Sequence, residues 1–86
     1  MIENLYKDML INMMELSISD IKNNHTLKAG RDAIKARMKK ETGRAGVFGR
    51  VAYGYILYQI KDAGFQNEII AILQSKIDKL EAGDVE

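Results

Sequence analysis

Lys28, Lys35 and Lys39 recur at intervals of seven and four residues. On an α-helix that spacing lines three ammonium groups along one ridge about 16 Å long, with Arg31 beside it. Arg44 and Arg50 follow across a glycine turn. Phosphate recognition needs cations spread along a surface rather than a motif, so these six residues suffice chemically for nonspecific binding of RNA or DNA. A plainer assignment competes with it: the lysines keep a helix in water, or they meet acidic faces of a neighbouring copy or of another protein. Charge is also distributed unevenly along the chain. The net +1 of the 86 residues divides into −3 over residues 1–21, +7 over 22–50 and −3 over 51–86, a basic centre between two acidic ends.

Other chemistry is poorly supported. His25 is the only histidine and stands in a polar connector; there is no cysteine, and no serine sits in a glycine elbow. Neighbouring carboxylates such as Asp78 and Glu81 fall on the wet side of an amphipathic helix. The acidic residues at the C-terminus lack the glycine turn and ligand spacing of a calcium loop. No catalytic residue, metal or cofactor is therefore expected.

The turn Gly43-Arg44-Ala45-Gly46 could bring backbone N–H groups and a helix N-terminus toward a phosphate. Over these four residues alone it resembles the GXXG loop of KH RNA-binding domains. The strands that such a domain requires are not readable in the chain, so no family membership follows. A helix-turn-helix over 31–56 is also disfavoured, because the second helix would present Val47, Phe48, Val51, Tyr55 and Tyr58 where polar side chains should read base edges. Tyr53, Tyr55 and Tyr58 could stack on bases, but at helical spacing in an apolar helix they read better as core or interface residues.

The elements that must position these groups are helical. Proline is absent, and apolar residues recur at helical rather than alternating spacing, so the chain reads as all-α: one compact bundle of about four helices over 1–86, near 2–21, 27–41, 45–63 and 66–82. The first helix carries one stripe of Ile2, Leu5, Tyr6, Met9, Met13 and Leu16 and a flanking one of Leu10, Met14, Ile18 and Ile21. Thr26 is a plausible N-cap for the second helix, and Gly43 its terminator. The third helix is apolar nearly all round and is expected to be the central element. Its line of small residues would let another backbone approach, so an oligomer contact is expected at Gly49, Ala52, Tyr53 and Ile56. The fourth helix stacks Phe65, Ile69, Ile72, Ile77 and Leu80, ends at Gly83 and leaves a frayed tail. Glu3, Lys7 and Asp8 interrupt the apolar residues near the N-terminus, no signal peptide is read there, and a cytoplasmic address is the expectation.

So small a chain buries a marginal core, for which self-association is a common remedy. The expected function is a homo-oligomeric, non-enzymatic regulator that binds RNA, DNA or another polyanion, with no membrane partner. The alternative is a protein-interaction adaptor or inhibitor that docks on an acidic or nucleic-acid-binding surface of a host protein, as phage-type factors do by analogy.

Overall fold

The computed structural model describes residues 2–83, with side chains from residue 5 onward. Four helices follow one another: α1 (Ile2–Lys22), α2 (Leu27–Lys40), α3 (Val47–Gln59) and α4 (Gln66–Glu81), and the described residues contain no strand. The expected side chain of Ile2 in the apolar stripe and the expected frayed tail lie outside these residues. The bundle measures 38 × 31 × 19 Å, so it is two helix layers thick. No helix among the described residues is long and apolar enough to cross a membrane.

The core is rich in isoleucine. Ile21, Ile34, Ile56, Ile60, Ile69 and Ile77 are fully or almost fully buried, together with Met14 and Leu73. In α4 the buried positions Ile69, Leu73 and Ile77 stand four apart, which is the helical period of a single inward stripe. Phe65, which the sequence adds to that stripe, is the N-cap residue of α4, has extended backbone and is exposed. Among the described residues Ser17 is the one polar member of the core. Its hydroxyl donates to the Met13 carbonyl at 2.8 Å, which satisfies it within its own helix.

The expected centre is corrected. α1 rather than α3 makes the broad contacts: it packs against α2, α3 and α4, whereas α3 packs mainly against α2. Both stripes of α1 enter the core in the second half of the helix, through Met13 of the main one and Met14, Ile18 and Ile21 of the flanking one, while Leu5, Tyr6 and Met9 nearer its start are exposed. Gly30 explains the close approach of α2 to α1: a Cβ there would sit 2.8 Å from Ile21 Cδ1 and 3.3 Å from Ile21 Cα. α3 is buried on one side only, through Ala52, Tyr53, Ile56 and the following Ile60, and shows Val47, Val51, Tyr55 and Tyr58 to solvent.

Two long side chains fasten helix ends. Gln66 Nε2 at the start of α4 donates to the carbonyls of Ile21 and Asn24 at the end of α1. Arg31 Nη2 in α2 donates to the carbonyls of Ile60 and Ala63 at 2.7 and 2.9 Å. Carbonyls at a helix C-terminus have no intrahelical partner, and a guanidinium there is favoured by both hydrogen bonding and the helix dipole. α3 accordingly ends at Gln59 rather than near residue 63, and its exit continues in three-residue turns, Lys61 N to Tyr58 O and Ala63 N to Ile60 O. The start of α2 thus lies by the end of α3, and Arg50 joins the start of α3 to the end of α2, so these two helices run antiparallel.

Candidate polyanion interface

Helix α2 is phased by its cap and its inward residues. Thr26 Oγ1 accepts from the Ala29 N–H at 3.0 Å, as the sequence suggests for an N-cap. Buried Gly30 and Ile34, with Leu27 and Met38 packed on the core, hold the inner side. Lys28, Lys35 and Lys39 therefore stand on the outer side, all exposed. Asp32 shares that side, and its carboxylate accepts from Lys28 Nζ at 2.8 Å. The hydrogen bond from Lys28 holds the Asp32 carboxyl below its usual range, and the positive charges of Lys28, Lys35 and Lys39 act in the same direction. The outer side of α2 thus already stabilises one anionic oxygen pair. An exposed pair of this kind contributes little to stability and exchanges readily with another anion.

The six proposed cations separate into two groups. Arg44 is exposed in the turn after α2, and like those of Lys35 and Lys39 its side chain makes no hydrogen bond or ion pair among the described residues. Arg31 is withdrawn into the cap on the α3 exit. Arg50 is held by the turn, its Nη1 donating to the Glu41 carbonyl at 2.7 Å and its Nη2 to the Gly43 carbonyl at 3.2 Å. What the structure offers a phosphate is Lys28, Lys35 and Lys39 along α2, with Arg44 beyond its end. At 100° per residue Arg31 lies about 20° from Met38 and about 40° from Lys35, so its place at the edge of the apolar arc was a readable signal of its inward role.

The glycine turn has a structural reason. Gly43 has φ of +68°, and a Cβ on Gly46 would run into the backbone of Thr42 and Glu41. Only glycine avoids strain or collision at these positions. The Gly46 N–H donates to the Thr42 and Gly43 carbonyls and the Val47 N–H to the Arg44 carbonyl, so these amides are engaged inside the turn. α2 itself is stopped earlier than Gly43, by the extended C-cap Glu41, whose N–H returns to the Met38 carbonyl.

The expected oligomer contact is corrected as well. Gly49, Ala52, Tyr53 and Ile56 are all buried inside a single chain. A Cβ on Gly49 would meet the Glu41 side chain, so it is a side chain rather than a second backbone that fills the gap there. Tyr53 packs near Arg37; burial pushes its hydroxyl pKa above the usual value, against the opposing pull of the guanidinium. Four residues so covered have no surface left for another copy.

Sequence reasoning missed Arg37 as a structural residue. Its Nε and Nη2 grip the two carboxylate oxygens of Asp20 at 2.6 and 3.0 Å, a bidentate tie between α2 and α1. The partners stand 17 residues apart, and nothing local in the sequence pairs them. His25 and Phe65 line an open groove between two connectors, together with Gln66 and Asn67. Among the described residues, no three His, Asp or Glu side chains gather closely enough to hold a metal ion. Comparison with protein-family models, curated proteins and solved structures finds no match to this chain.

Proposed function

We propose that this protein is a small, non-enzymatic, cytoplasmic regulator that acts as a homo-oligomer and binds RNA, DNA or another polyanion without sequence preference. The observation that carries the reading is the outer side of α2, where Lys28, Lys35 and Lys39 stand exposed in a row and Lys28 already holds the Asp32 carboxylate at 2.8 Å. A phosphate oxygen that approaches this ridge meets the same row of cations, and Arg44 extends it beyond the end of the helix. The contacting set is smaller than the sequence suggests, because Arg31 and Arg50 are committed to backbone carbonyls. With three or four phosphate contacts, binding is weak and strongly salt-dependent.

Fluorescence anisotropy with labelled RNA and DNA oligonucleotides at two salt concentrations tests this. Affinity falls with a log–log slope of about −3 for duplex DNA, and Lys35→Glu with Lys39→Glu abolishes it while helix content is unchanged. Absence of binding to either nucleic acid at low salt overturns the reading, and would turn attention to the alternative, in which the same ridge docks on an acidic protein surface.

A further inference from the structure

The outward face of α3 is apolar and uncovered. Val47, Val51, Tyr55 and Tyr58, spaced by four, four and three residues, are 40 to 65% exposed. The patch continues onto α1: Tyr6 packs against Phe48 with ring centroids 4.9 Å apart, and Leu5, Tyr6 and Met9 remain 36 to 59% exposed. At ordinary side-chain areas these seven residues expose roughly 700 Å², more than the largest patch of a typical monomer and close to one side of a standard protein interface.

Gly54 supplies a second, independent observation. Gly30, Gly46 and Gly49 each lie against a neighbour that a Cβ would strike, whereas a Cβ on Gly54 meets nothing within 4 Å. Its backbone is helical and needs no left-handed conformation. Glycine is less stable than alanine inside a helix, and nothing within the chain compensates for it here. A hollow therefore lies among the exposed valines and tyrosines, at the one place on this face where a second backbone could come close.

We propose that a second copy of this chain covers this face, with the two α3 helices crossing at Gly54. The stripe of Val47, Val51, Gly54, Tyr55 and Tyr58 carries no formal charge, with the Lys61 ammonium at its end 5.1 Å from the Tyr58 ring centroid, so an occupant that is apolar over the same area covers it best. The face itself meets that condition, and it sets bulky rings beside a hollow. Under two-fold symmetry the rings of each copy fill the hollow of the other. The available area matches what one partner contributes to a stable dimer. Lys28, Lys35 and Lys39 belong to α2 and lie outside this face, so dimerisation and polyanion binding are separable.

Sedimentation equilibrium and light scattering across micromolar to millimolar concentrations decide the matter. The wild-type chain gives twice the 9.7 kDa of one copy. Val51→Glu and Gly54→Leu each weaken dimerisation by tenfold or more, and the circular dichroism of both remains that of the wild type, because Val51 is 65% exposed and a Cβ on Gly54 meets nothing within 4 Å. Lys35→Glu with Lys39→Glu leaves the mass unchanged. A wild-type chain that stays monomeric throughout overturns the proposal, as does a dimer that survives both α3 substitutions.

Discussion

The two sides of α2 carry cations put to opposite uses. On the inner side Arg31 and Arg37 are committed to Ile60, Ala63 and Asp20, joining α2 to the exit of α3 and to α1. On the outer side Lys28, Lys35 and Lys39 stand in water, with Asp32 as the counterion placed among them. The difference follows from chemistry. A guanidinium is planar, weakly hydrated and presents several donors at fixed angles, so one side chain can satisfy two acceptors at a partly buried joint. An ammonium is a compact, strongly hydrated charge and loses more when water is removed. A block of net charge +7 in the sequence therefore overstates the charge available to a ligand, since part of it serves as mortar between helices.

The largest effect should come from breaking the inner side. Arg37→Leu leaves the Asp20 carboxylate, 12% exposed, without its bidentate partner and should destabilise the fold by about 2 to 3 kcal/mol. Urea denaturation would measure this, and adding Asp20→Leu should restore part of the loss. Next, Arg31→Lys preserves the charge but not the geometry that reaches two carbonyls. It should cost about 1 kcal/mol of stability and leave nucleic-acid affinity unchanged; a loss of binding without loss of stability would place Arg31 with the outer lysines after all.

The smallest effect belongs to the outer side. Asp32→Asn should leave stability almost unchanged and should tighten binding to RNA and DNA, because it removes the competing anion. The sign of the pH dependence follows from the depressed carboxyl. The contribution of the Asp32–Lys28 pair is complete above the usual carboxylate range and fades as pH falls through the lower folded value. Carboxyl-carbon NMR should place the Asp32 midpoint below the usual value, and Lys35→Ala should move it back up.

Much of this was legible in one dimension. Spacing alone located four helices to within a few residues, because an inward stripe such as Ile69, Leu73 and Ile77 leaves the same period in any environment. Thr26 was readable as a cap, since the hydroxyl and the amide it satisfies are three residues apart. The α3 exit was not readable. Its early end coincides with a guanidinium 29 residues upstream, and no local propensity reports that.

Charge pairing and burial of ambiguous faces divide along the same line. The sequence determined helix content, the run of basic residues and the outward ridge on α2, all of which depend on neighbours three or four positions away. Which part of the apolar surface of α1 enters the core, which side of α3 is left uncovered, and which arginines are spent on carbonyls were decided only when the helices met. Both sides of α3 are apolar enough to be buried, and the choice between them rests on how α1 and α2 meet it, which no single helix contains.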